Sequence, residues 1–210
     1  MILYATELSS YSLKVRLAAA LKGLVLDLRA PPEGYRSAAY RALVPSGTVP
    51  ALVDGDFTLA ESDTILEYLE DRFPRPALLP DDPRGRARAR FLGRLHDLRL
   101  EPKLRACFPG VATGTVPAGT ETAIAADLAL IDGALDPEGP FAVGPVPSLA
   151  DCAYPASFAI LEALAPVFGW RLEPAARTAR WRAAFAAHPV FEDLLTPYRA
   201  ALAAWVASKR

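Results

Sequence analysis

The sequence predicts an α/β layer joined to an all-helical domain, and three observations lead there. Over the first seventy or so residues, short apolar runs alternate with amphipathic ones, the pattern of strand and helix units. At residues 73–83 the text becomes FPRPALLPDDP, whose prolines stiffen the chain and forbid a regular helix. Beyond that stretch apolar residues recur only with helical period.

Taken in order, ILYA is the first strand. SLKVRLAAALKG carries Leu13, Leu17, Ala20 and Leu21 at the spacing of one helical face and ends at Gly23, suited to a left-handed C-terminal cap. VLDLR alternates as the second strand, and YRSAAYRALV reads as a short helix stopped before Pro45. PALV and FTLA are strands joined by the hairpin turn DGD. SDTILEYLEDRF places Ile65, Leu66, Leu69 and Phe73 in one stripe and stops at Pro74. The order is βαβαββα over residues 1–74, with a linker at 75–83 and a helical domain at 84–210. In that domain RGRARARFLGRLHDLRLEPKLRACF comes first, followed by segments near 120–135, 149–165, 174–187 and 190–207.

Of the 210 residues, 52% are hydrophobic, enough for a sizeable core. A formal net charge of -1 speaks against nucleic acid or an anionic membrane as partner. The start, MILYATELSS, lacks the basic region and cleavage site of an export signal. The most apolar stretch, CAYPASFAILEALAPVFGW, is broken by Pro155, Glu162 and Pro166, so no membrane span is expected. Cys107 and Cys152 lie far apart, which speaks against a disulfide scaffold, a zinc site or a dithiol centre. A cytoplasmic location without metal is the expectation.

SSYSLKVR, residues 9–16, sits where the first strand turns into the first helix. A serine nucleophile needs a base; the only histidines, His96 and His188, lie in the helical half without a triad context, and G-x-S-x-G is absent. No glycine-rich phosphate loop follows the strand either. What remains is the corner itself, where free N–H groups and the positive helix end favour an anion. Ser9 or Ser10 can cap the helix, or donate a hydrogen bond to a thiolate brought by a ligand. Such a bond stabilises a charged group by roughly 1.5–3 kcal/mol, or one to two pKa units, enough to bring a thiol from about 8.5 close to neutrality.

Two further stretches face the same ligand. Thr48-Val49-Pro50 joins a loop to a strand; a cis bond there would let Val49 offer N–H and C=O to a peptide-like ligand. Glu61-Ser62 opens the next helix, with Ser62 able to cap and bind at once and Glu61 able to hold an ammonium group. A ligand with thiol, peptide, carboxylate and amine matches this set, and glutathione has all four.

TVPAL followed by LAESDTILEYLE, together with VPSLADCAYP at 146–155, resembles the cytosolic glutathione S-transferase family, in which a thioredoxin-like domain precedes an all-helical one. In the last segment Ser148 and Asp151 form a capping box for a core helix. SSYSLKVRLAAALKG and LLPDDPRGRARAR look most like the zeta class, which includes maleylacetoacetate isomerases; Ser9, Ser10, Ser12 and Arg16 match its motif, and Tyr11 stands where that class has cysteine. The resemblance implies that Ser9 or Ser10 stabilises the glutathione thiolate, Thr48, Val49 and Pro50 receive its backbone, and Glu61 and Ser62 its γ-glutamyl end. Tyr11, Arg94, Leu95 and Arg99 would line a pocket for a small electrophile. It implies glutathione as co-substrate, conjugation or zeta-like cis-trans isomerisation, and a homodimer; the alternative is a non-catalytic, stringent-starvation-like binding protein.

Overall fold

The computed structural model describes residues 1–210, which divide into two compact units, Met1–Leu78 and Leu79–Arg210. The first contains β1 (Ile2–Tyr4), α1 (Ser10–Leu21), β2 (Asp27–Arg29), α2 (Ala38–Leu43), β3 (Ala51–Asp54), β4 (Phe57–Ala60) and α3 (Ser62–Arg72). Its four-stranded sheet has the order β2-β1-β3-β4, with β1 parallel to β2 and antiparallel to β3. This is the thioredoxin-like βαβαββα arrangement.

Each element has a local cause. The helix α1 ends in a Schellman motif: Gly23 takes φ 68°, its N–H reaches the Ala20 carbonyl, and the Leu24 N–H reaches Ala19. The β3–β4 hairpin turns through Gly55 at φ 63°, pairing Asp54 with Phe57. Leu3, Val15, Leu17, Ile65 and Leu69 are fully enclosed in this unit's core.

The start of α2 differs from expectation. The sequence places it at Tyr35, but Arg36 adopts φ 66°, outside the helical region, and Ser37 then caps the helix by accepting from the Tyr40 N–H at 3.0 Å.

A buried ion pair closes the unit. Lys22 Nζ lies 2.6 Å from the Glu70 carboxylate and donates to the carbonyls of Phe73 and Pro76 at 2.8 and 2.9 Å. Glu70 in turn accepts from the Leu78 N–H. The proline-bearing stretch after α3 is therefore held to the end of α1.

The second unit is all helical: α4 (Pro83–Leu95), a π-helical stretch (His96–Leu100), α5 (Glu101–Ala106), α6 (Thr120–Ala134), α7 (Leu149–Phe168), α8 (Ala176–Ala187) and α9 (Pro189–Ala207). The π stretch ends just before Pro102, whose ring and missing N–H disfavour the ordinary i to i−4 pattern. The capping box of α7 is built with Asp151 fully buried. That carboxylate accepts from the Ser148 N–H and hydroxyl at 2.7 and 2.6 Å, the Ala142 N–H at 2.8 Å and Trp181 Nε1 at 2.5 Å. Trp181 anchors an aromatic cluster with Tyr154, Phe158 and Phe185. No helix is long and apolar enough to cross a membrane.

Candidate glutathione site

Strand register brings three separated stretches to one end of the sheet. Tyr4, the last residue of β1, is paired with Ala51, the first of β3, and Ala51 is paired with Ala60, the last of β4. The chain therefore leaves Tyr4 toward Ser9, enters Ala51 from Val49-Pro50 and leaves Ala60 into Glu61-Ser62. Two strand spacings cover about 10 Å, close to the roughly 10–11 Å reach of three extended residues.

At the first stretch the serines separate. Ser9 is the N-cap of α1, half-buried, and its Oγ accepts from the Ser12 N–H at 3.1 Å. Accepting leaves its own O–H proton available to donate, so capping and anion binding are compatible at this residue. Ser10 is the first helical residue and is wholly enclosed. Tyr11 is half-buried. Ser12 Oγ is buried without a hydrogen-bond partner. Arg16, farther along α1, is half-buried, and burial lowers its pKa.

At the second stretch the Val49–Pro50 peptide is cis. The Thr48 carbonyl accepts from Tyr40 Oη at 2.9 Å, while Thr48 Oγ1 lies 2.8 Å from Ser46 Oγ. Tyr40 and Tyr4 meet edge to face with centroids 5.4 Å apart. Tyr40, Tyr4, Val44 and Ala51 form a small core cluster on which Val49 packs.

The third stretch corrects an expectation. Glu61, not Ser62, is the N-cap of α3, at φ 69° and ψ 117°, and it makes no side-chain capping bond. Ser62 is already the first helical residue and is buried, so it is not the cap. A non-glycine residue at positive φ costs on the order of 1–3 kcal/mol and is common at ligand clamps. Here it starts the helix without a side-chain cap. Asp63, next in line, pairs with the buried ammonium of Lys14 in α1, so the two helix starts that flank the site are braced against each other.

The remaining candidates lie in the helical unit. Arg94 is exposed and Leu95 is 6% exposed. Arg99 donates through Nε to Asp127 at 2.9 Å, and Lys103 pairs with the same carboxylate.

The structure also contains contacts that the sequence did not disclose. His96 Nε2 lies 2.8 Å from Ser157 Oγ and Nδ1 lies 2.6 Å from Asp97, a serine, histidine and aspartate in contact. It is no nucleophile: His96 and Ser157 are both fully enclosed, and the Ser157 hydroxyl donates to Glu101 at 2.5 Å. Separations of 61 residues for that contact and 49 for Lys14–Asp63 left no local pattern to find. Tyr40, in the middle of the short helix α2, carried no local signal that its hydroxyl would reach Thr48, eight residues on. No group of three or more histidine, cysteine, aspartate or glutamate side chains is arranged to hold a metal ion.

Residues 3–77 match the family described as Glutathione S-transferase, N-terminal domain. A maleylpyruvate isomerase of Ralstonia sp is 35% identical over 166 residues, 72% of this chain and 78% of that protein. A stringent starvation protein A homolog of Coxiella burnetii is 44% identical over 92 residues, 44% of either chain. At that level of identity the chain spans about half the length of the curated relatives it matches. Among solved structures, the holo form of a maleyl pyruvate isomerase, described as a bacterial glutathione S-transferase in zeta class, superposes with a TM-score of 0.76 at 30% identity, covering 95% of this chain and 98% of that one. With both its N-terminal domain and most of its length aligned to such relatives, this chain belongs to the glutathione S-transferase family and is most like its zeta class.

Proposed function

We propose that the chain is a glutathione-dependent transferase whose thiolate is held by a serine hydroxyl, with Ser9 as that residue. The observation that carries the reading is the Tyr4–Ala51–Ala60 row, which puts a hydroxyl corner, a backbone edge and an acidic helix start at one end of a single sheet. Glutathione would place its sulfur at Ser9, its cysteinyl backbone along Thr48, Val49 and Pro50, and its γ-glutamyl group at Glu61 and Ser62. Ser9 is favoured over Ser10 because it is less enclosed and because accepting from the Ser12 N–H leaves its own proton free to donate. Tyr11, half-buried beside Ser9 and Ser10, is the residue proposed as a wall for the electrophile.

The chemistry needs no protein base. The ionised sulfur forms a C–S bond to an electrophilic carbon. In conjugation a leaving group departs with its electron pair. In isomerisation the thiolate adds to a conjugated cis double bond, the electron pair moves to the carbonyl oxygen, the resulting single bond rotates, and collapse expels the thiolate with the bond now trans. Both outcomes use the same stabilised sulfur, and the relation to a maleylpyruvate isomerase supports including the second. A homodimer is part of this reading.

Binding to immobilised glutathione and conjugation of chlorodinitrobenzene test it directly. Ser9→Ala should raise the pH at which bound glutathione ionises by about one to two units, seen as thiolate absorbance against pH. Turnover at neutral pH should fall about 10-fold or more, with little change in glutathione affinity. An unchanged pH profile would move the role to Ser10 or Tyr11. A protein that neither binds glutathione nor turns over either substrate, yet stays in a large protein complex, would favour the non-catalytic reading that its likeness to a stringent starvation protein A homolog offers.

A further inference from the structure

Tyr40 takes no part in the chemistry above, yet it grips the backbone on which that site depends. It is fully enclosed, and its Oη donates to the Thr48 carbonyl at 2.9 Å. That carbonyl belongs to the peptide plane joining Thr48 to Val49. The plane is trans, since the chain's cis bonds are Val49–Pro50 and Arg75–Pro76, and a trans amide carries its C=O and N–H on opposite sides. Fixing the carbonyl on Tyr40 therefore fixes the direction of the Val49 N–H. Accepting a hydrogen bond also polarises the amide and makes its N–H a stronger donor.

The phenol is itself well anchored. The Tyr40 N–H is tied to Ser37 Oγ, and the Ser37 hydroxyl donates to the Pro32 carbonyl at 2.7 Å. The ring meets Tyr4 edge to face, and Tyr4 sits in the same strand row as Ala51. Burial pushes the phenol up to about 12, so it remains a protonated donor throughout the neutral range. The Val49 N–H, on the far side of the plane, takes no backbone partner.

We propose that Tyr40 is a positioning residue whose hydroxyl orients and polarises the Thr48–Val49 peptide for recognition of a ligand backbone. The inference rests on the glutathione reading and names the group that sets up one of its contacts. Tyr40→Phe removes only the oxygen and keeps the ring against Tyr4. Glutathione affinity, measured by calorimetry, should weaken about 3- to 10-fold, the worth of one neutral hydrogen bond. Turnover at saturating glutathione and the pH of thiolate ionisation should stay as in the unmodified protein. Ile65→Val, a core change elsewhere in the same unit, should lower the melting temperature without moving affinity. The NMR order parameter of the Val49 amide should fall in Tyr40→Phe, since the plane loses the bond that fixes it.

Unchanged affinity in Tyr40→Phe, an equal loss of turnover, or the same weakening in Ile65→Val would overturn the positioning role while leaving glutathione binding intact. Failure of the unmodified protein to bind glutathione would remove the parent reading. The order-parameter measurement then still decides whether Tyr40 orders this peptide, and an unchanged value would overturn that too.

Discussion

Asp151 gathers four donors around one enclosed carboxylate, from Ser148 twice, Ala142 and Trp181. Burial pushes its pKa up while those hydrogen bonds hold it down. Asp151→Ala would strand all four donors, and we expect it to destabilise the protein by on the order of 3–5 kcal/mol, read as a shift of the urea midpoint. Asp151→Asn, which keeps one acceptor, should cost less. The capping role was legible from S-x-x-D alone, because both partners fall within one helical turn. The indole was not, because Trp181 comes 30 residues later and reaches Asp151 only once α8 is packed. Tyr40 makes the same point at the site: its ring reads as core, but nothing local says where the hydroxyl goes.

Among the elements, α1 and α3 are coupled by Lys14 and Asp63, a pair whose ammonium is 1% exposed. Asp63 is one-third exposed, so Asp63→Ala, which removes this contact, should destabilise by about 1 kcal/mol, read as a shift of the urea midpoint. Because Asp63 follows Ser62, glutathione affinity should weaken as well; full affinity in a folded Asp63→Ala protein would show that the brace does not position the α3 start. The strands and helices of the first unit were readable because apolar period and Gly or Pro punctuation are local signals. Two helix starts escaped that reading. Arg36 and Glu61 both sit at positive φ, which sequence rules reserve for glycine, and only the surrounding tertiary structure holds them there. Sequence rules accordingly placed α2 too early and gave Ser62 the cap that belongs to Glu61.

At the scale of the whole molecule, titration should limit stability from both sides. Asp136, which accepts from the N–H groups of Gly139 and Glu138, is held below its ordinary 3.8, chiefly by the Gly139 bond. Its contribution is complete above that value and is lost as pH falls through the lower folded-state pKa. Burial raises Tyr40 from 10.0 to about 12, so this phenol's contribution is complete below pH 10 and lost as pH rises toward 12. Buried Cys107 is likewise raised above 9.0. The melting temperature should therefore be level through neutrality and fall outside these limits. Tyr40→Phe should soften the alkaline fall, and a fall no different from that of the unmodified protein would contradict the assignment. The two-part organisation was visible in the change from mixed to purely helical period, whereas the clamp of Lys22 and Glu70 on the proline-bearing stretch was hidden, joining residues about 50 apart. That clamp says where the chain tolerates a splice. A chimera that imports a foreign helical half should be cut after Leu78, because a junction at the first proline would discard the Pro76 carbonyl that a buried lysine uses and the Leu78 amide that a buried glutamate uses.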